Sequence, residues 1–293
     1  MKYVNQILWK TVAVTLAAYV AQLVIGWVVY RVSGPVWESA PAFSATIVPT
    51  LAGMALTVLV LVYPTARSVL RGGRLFLALF LAIFGLNVFL TNIEGVIFLV
   101  MTPQQLWSGI AYSTLSAAVV SALLVAAFGR GETAPRIIAP GSGFTPGQWV
   151  GRTALAAVSY LVLYFVAGML ILPHIREFYD TQNMQIGLLI FPLQIFRGAL
   201  YVLFVLYLLR NIAAPKWQTC LAMAAMFPVL AGVAGLLSPN PIMPDHVRHW
   251  HILEIGWSNF AYGLLVGYLF WNGARKNAGQ AADNHPVSPE RTG

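Results

Sequence analysis

The sequence predicts an all-α membrane protein of eight transmembrane helices, built as a tandem 4+4 parallel repeat with both termini cytoplasmic. Three observations predict it. The 293 residues are 59% hydrophobic and only 9% charged, whereas soluble domains run about 45–50% apolar and about 25% charged. The apolar residues gather in runs of about 20, the length a membrane span needs. Residue patterns also recur between spans four apart.

The first run, about Thr11–Val29, follows Lys2 and Lys10. It is too long for a signal-peptide core and lacks a small-x-small cleavage site, so it reads as a retained span. Further spans run about Phe43–Tyr63, Leu75–Met101, Trp107–Phe128, Trp149–Leu172, Gly187–Leu209, Trp217–Leu237 and His251–Trp271. Each suits a hydrocarbon core of about 30 Å at about 1.5 Å rise per residue. Of the 17 basic residues, Arg31, Arg176 and Arg248 fall on one side, Arg197 lies within a span, and the rest fall at the N-terminus, in alternate loops and in the tail. The side richer in Lys and Arg is the cytoplasmic one. Compact loops and this clean bias suit a multi-pass protein of the inner (plasma) membrane.

The net charge of +8 does not point to nucleic acid, because the basic residues lie in short loops rather than on one soluble face. A single cysteine, Cys220, sits inside a span, which excludes an intramolecular disulfide and a cysteine-rich metal site. Residues 1–135 form the first four-helix unit and 136–276 the second. The polar tail 277–293 carries Pro286 and Pro289 and is expected to be disordered.

The repeat is read from matched residues. Pro49 and Arg67 match Pro192 and Arg210 at an offset of 143, and GIAYST (109–114) matches EIGWSN (254–259) at 145. Ala18-Tyr19 pairs loosely with Ser159-Tyr160 at 141, while the third and seventh spans hardly resemble each other. Four helices return the chain to its starting side, so the units are parallel, about an axis along the membrane normal. In this register Arg197 stands opposite Met54 and Glu254 opposite Gly109.

Ionisable residues inside spans are costly and need partners or water. The stretch DHVRHWHILEIGWSNFAYG (245–263) concentrates them. Helical spacing aligns Asn87, Thr91 and Glu94 on the third span, Gln194, Arg197 and Tyr201 on the sixth, and His251, Glu254, Ser258 and Tyr262 on the eighth. The candidate ligand-binding set is Glu94, Arg197 and Glu254, with Asn87, Asn92, Gln194, Ser258, Asn259 and His251. Arg197 is expected to pair with Glu94, Glu254 or both, since a central arginine costs about 2.5–3.5 kcal/mol on insertion scales. Pro49, Pro192 and Pro228 are expected to free the carbonyls of Ala45, Leu188 and Ala224.

LPHIREFYD (172–180) and SPNPIMPDHVRHWH (238–251) read as outer loops. His246 and His249 could share a metal completed by His174, but no zinc motif accompanies them and no metal or cofactor is assigned. Interfacial histidines beside Trp250 and Trp257 are the plainer reading, with pH sensing as another. Together these features point to a carrier or binding protein for a small solute or lipid headgroup, with a buried Glu–Arg–Glu pocket open to the outer face. A membrane-embedded enzyme using Glu/His acid–base or metal chemistry and a structural membrane subunit are the alternatives. Carriage requires a cavity that reaches the midplane and can open to both faces in turn, and an enzyme requires His174, His249 or His251 within about 3 Å of a glutamate or a shared metal position. A structural subunit requires full pairing of the polar groups.

Overall fold

The computed structural model describes residues 2–34, 42–89, 92, 102–129, 143–181, 187–239 and 243–271. Among these, the chain folds as helices α1 (Lys2–Ser33), α2 (Phe43–Ala66), α3 (Gly72–Ile83), α4 (Pro103–Phe128), α5 (Pro146–Thr181), α6 (Ile190–Arg210), α7 (Lys216–Pro228) and α8 (Asp245–Phe270). α3 runs on as a π-helical segment, Phe84–Phe89. α7 runs on as another, Val229–Val233, before a last turn, Ala234–Leu236. Six helices are long and apolar enough to cross a membrane: α1, α2, α4, α5, α6 and α7 through Leu236. α3 is apolar but shorter within the described residues, and α8 has the length but carries the histidines and Glu254. The chain is a multi-pass helical membrane protein. Glu94, Thr91 and the tail 277–293 lie outside the described residues.

Local chemistry sets the helix ends. Thr102 accepts from the Gln105 amide and the Gln105 side chain accepts from the Thr102 amide, a reciprocal cap with Pro103 in the first turn of α4. Two boundaries depart from expectation. LPHIREFYD is not a loop: α5 continues through Pro173 to Thr181. Ile171 and Ile175 are buried there, with Phe178 and Tyr179 packed beside them against Val247 of α8. Spacing of i, i+4, i+7 and i+8 is a helical apolar stripe, and it outweighs the proline. Secondly, α6 begins at Ile190, so Pro192 sits in its first turn, where no intrahelical amide is required. Leu188 precedes the helix and its carbonyl accepts from the Phe191 amide, so Pro192 is not a mid-helix break.

α1 packs on α2 and α4, and α5 packs likewise on α6 and α8; α2 meets α7 as α6 meets α3. The loops after α2 and after α6 cross as a short antiparallel bridge, Ser68 opposite Ile212. There the Val69 amide donates to the Asn211 carbonyl (2.8 Å) and the Ala213 amide to the Arg67 carbonyl (2.7 Å). Each bond becomes the other when 144 is added to one residue number and taken from its partner.

Burial follows the same numbering. The buried residues of α2 are Gly53, Met54, Val58, Leu61, Pro64 and Thr65, and 144 positions on, Arg197, Gly198, Val202, Val205, Leu208 and Leu209 are all buried. From α4, Ser108, Ser116, Ala117, Val120, Ser121 and Leu124 map at 146 onto Glu254, Tyr262, Gly263, Val266, Gly267 and Phe270, again all buried. Leu75, Ala78, Leu79, Ala82 and Ile83 of α3 map at 145 onto Cys220, Met223, Ala224, Phe227 and Pro228, all buried, and the two π-helical segments start 145 apart. At 142, Val14, Thr15 and Ala18 of α1 meet buried Ala156, Ala157 and Tyr160. Residue identities suggest offsets of 141, 143 and 145, while the matched buried positions of these pairs lie 142, 144 and 146 apart. Counted by burial, Arg197 lies 144 positions after Gly53 and Glu254 lies 146 after Ser108.

α7 and α8 pack to backbone contact. A Cβ on Gly263 would sit 2.5 Å from the Met223 carbonyl oxygen, and one on Gly267 would sit 2.7 Å from the Cys220 Cα. Small residues let backbones approach where lipid supplies no hydrophobic drive between helices. Gly263→Ala should therefore destabilise the protein by about 1–3 kcal/mol through overpacking. Gly256→Ala, whose Cβ meets nothing within 4 Å, should leave the melting temperature in detergent unchanged or slightly higher. Thermal unfolding of the two variants checks the contrast.

Candidate functional site

The polar residues divide into two centres in the second half of the chain and a cavity lined mostly by the first. Arg197 is 8% exposed and lies seven residues, about 10 Å, into α6. Its Nε and Nη2 both donate to the Tyr201 hydroxyl, at 3.0 and 2.9 Å. Its guanidinium also lies 5.8 Å from the Tyr160 ring centroid. Tyr160 meets Tyr201 and Tyr262 edge to face, with centroids 5.4 and 4.9 Å apart, and Phe227 meets Tyr201 and Tyr262 the same way. The Tyr262 hydroxyl donates to the Gly198 carbonyl at 2.7 Å. Gly198 allows this because a Cβ there would strike Tyr160 at 2.7 Å. The cluster thus joins α5, α6, α7 and α8 around one guanidinium. Gln194, one turn before Arg197, is fully buried on the same face.

The second centre lies on α8. Glu254, 9% exposed, faces His251: its Oε2 is 2.7 Å from His251 Nδ1. The other ring nitrogen, Nε2, is 3.3 Å from the Tyr179 hydroxyl, making a Tyr179–His251–Glu254 chain. Ser258 donates to the Glu254 backbone carbonyl at 2.6 Å, and Asn259 Nδ2 to the Ile255 carbonyl at 3.2 Å. Asn259 Oδ1 is buried with no hydrogen-bond partner. Glu254 therefore takes His251, and no ion pair joins it to Arg197. The remaining expected partner, Glu94, lies outside the described residues. Tyr179 was missed because its segment was assigned to a loop, although the Ile171–Ile175–Phe178 stripe was there to read.

Arg248 also escaped the reading, which counted it only as an outer charge. It is 4% exposed, and its Nη1 donates to the Leu236 and Leu237 carbonyls, at 2.6 and 2.8 Å. Its Nη2 meets Asp245 Oδ1 at 2.8 Å. It thus caps the last turn after α7 and fixes the entry of α8. That hydrogen bond and the charge behind it hold the Asp245 carboxyl below its ordinary value. His174 stacks on Trp250, centroids 3.9 Å apart and planes 8° apart, while His246 and His249 are exposed on the first turns of α8. Among the described residues no three His, Cys, Asp or Glu side chains come together as a metal site.

The cavity lies between α1, α2, α3, α4 and the last turn after α7. It measures about 360 Å³. Gln22, Thr50, Asn87, Tyr112, Ser113 and Ser238 supply its polar lining, over a floor that includes Met54, Ile83 and Leu230. Thr50 and Ser238 hydroxyls meet at 3.0 Å. Gln22 Oε1 is buried and has no hydrogen-bond partner. Thr57, another lining residue, lies fourteen residues into α2, about 21 Å along it, so the cavity reaches past the middle of that helix. Of the nominated residues, Asn87 lines it; Asn92 stands near Gly109 on α4, its Oδ1 3.7 Å from where a Cβ on Gly109 would lie. Gln194, Arg197, Glu254, Ser258, Asn259 and His251 lie elsewhere.

Comparison with protein-family models, with curated proteins and with solved structures finds no match for the chain. What fold and site define is a multi-pass helical membrane protein with two buried polar centres and a separate hydrogen-bonding cavity. Replacing Tyr201 with Phe removes an acceptor that serves Arg197 twice. It should cost about 1–2 kcal/mol, the upper part of the range for side-chain hydrogen bonds inside membranes, and appear as a lower melting temperature in detergent.

Proposed function

We propose that the protein is a carrier or binding protein of the inner membrane that takes a small solute or lipid headgroup in the cavity beside α1–α4. On this reading all eight helices cross the membrane, as two parallel four-helix units with both termini cytoplasmic. The matched burial at offsets of 142 to 146 and the reciprocal bonds of the Ser68–Ile212 bridge support the duplication. The carrying observation is the cavity: about 360 Å³, with Gln22 Oε1 buried in its wall and unsatisfied. Its volume falls in the range of about 300–1,000 Å³ usual for ligand sites, and a buried acceptor without a donor costs about 1–3 kcal/mol until something donates to it. Arg197 among its tyrosines and Glu254 on His251 are the anchors of the second unit. Any Glu94–Arg197 link between the units runs through the third span.

One observation favours a second reading, catalysis at the outer surface. His251 lies 2.7 Å from Glu254, within the reach an acid–base pair requires. The cavity, however, lies in the other half of the bundle, so the pair has no substrate space against it that the cavity supplies.

Purified protein reconstituted into vesicles tests both. Wild type should admit at least one of glycerol, a zwitterionic amino acid or an organic anion several-fold faster than protein-free vesicles, or should carry a lipid headgroup through purification. His251→Ala should keep that behaviour. Equal entry of all three solutes with and without protein, and no retained lipid, overturns the reading. Loss of function in a folded His251→Ala protein shifts it toward the catalytic pair.

A further inference from the structure

We infer that the two halves have diverged into one filled and one hollow version of the same central position, and that the hollow one takes an uncharged, hydroxyl-rich small molecule. This deepens the binding reading above and rests on it. The residues filling the centre of the second half are Arg197, Tyr201 and Tyr262. At the offsets fixed by burial, 144 for α2/α6 and 146 for α4/α8, their counterparts are Gly53, Thr57 and Ser116, and all three line the cavity. A guanidinium and two phenol rings in one half are absent from the other, and the cavity lies where they would be. The correspondence extends to the nominated polar residues: Gln194 answers to Thr50 and Asn259 to Ser113, again both in the lining.

The chemistry of the lining sets the class of ligand. Among the described residues it contains amides and hydroxyls but no charged side chain. An ion taken into such a place would forfeit hydration worth several kcal/mol with no opposite charge to replace it. Hydroxyls and amides can each both donate and accept, so a polyol finds partners for either role. Gln22 Oε1, buried and unsatisfied, calls for a donor in particular. Met54, Ile83 and Leu230 leave an apolar wall for the carbon skeleton.

The test is the melting temperature of the full-length protein in detergent, titrated with glycerol, myo-inositol and glucose, and separately with choline, lysine and inorganic phosphate. Binding to the native state alone raises it in a saturable way. At least one neutral polyol should raise it and none of the ions should. Thr57→Tyr, which installs the residue that fills the other half, should abolish the rise. Gln22→Met keeps the volume, removes the acceptor and covers the case in which the bulky variant does not fold; it should weaken the effect about two- to tenfold, one hydrogen bond's worth. A rise with choline, lysine or phosphate instead overturns the ligand class and leaves binding standing. An equal rise in wild type and a folded Thr57→Tyr protein marks a general solvent effect and overturns the site. No rise with any compound overturns the inference, while vesicle entry still decides carriage independently.

Discussion

Two backbone hydrogen bonds, Val69 to Asn211 and Ala213 to Arg67, hold the crossing on which the central helices are built. Val69, Asn211 and Ile212 are buried there, and a buried amide or carbonyl left unpaired costs about as much as a lost hydrogen bond. The crossing therefore fixes how α2 leaves toward α3 and how α6 leaves toward α7. It sets α2 against α7 and α6 against α3, with α1 and α4 flanking one pair and α5 and α8 the other. Within hydrocarbon, irregular backbone survives only where protein buries it, and a loop at the bundle's end that satisfies its twin meets that condition.

Above this crossing the two flanks solve one packing problem differently. α8 closes on α7 through Gly263 and Gly267 to backbone contact, and the space beyond is filled by tyrosines around Arg197. The ring contacts are worth about 0.5–1.5 kcal/mol each beyond burial, and Tyr201 gives the guanidinium an acceptor it could not find in lipid. In the other flank, Gly53 brings α2 against the Ala234 carbonyl, where a Cβ would approach to 2.3 Å. Behind it lies the cavity, with Thr57 and Ser116 in its lining.

Much of this was legible in the sequence. Six of the span positions were, because hydropathy over about 20 residues is a strong signal. Gln194, Arg197, Glu254 and Ser258 are buried, and helical spacing already set them on common stripes. The offsets suggested by identity and by burial differ by one. Matching Pro49 to Pro192 rewards identity, whereas a helix turns about 100° per residue and burial rewards rotation. The like spacing of buried positions in α3 and α7 was invisible for the same reason: hardly any residue identity accompanies it, only burial and two π-helical segments. Pro173 and the charges of 176–180 hid the helical continuation that brings Tyr179 to His251. The cavity was hidden because it consists of side chains that are not there, and Gly53 and Thr57 look unremarkable without Arg197 and Tyr201 for comparison.

The aromatic cluster has a consequence for how such a chain can change over generations. With one flank tightly packed, much of the margin of stability is concentrated there, and substitutions at Thr57 and Ser116, which face the cavity, draw less on it. Side chains in the open flank can then change while the closed flank keeps the chain folded.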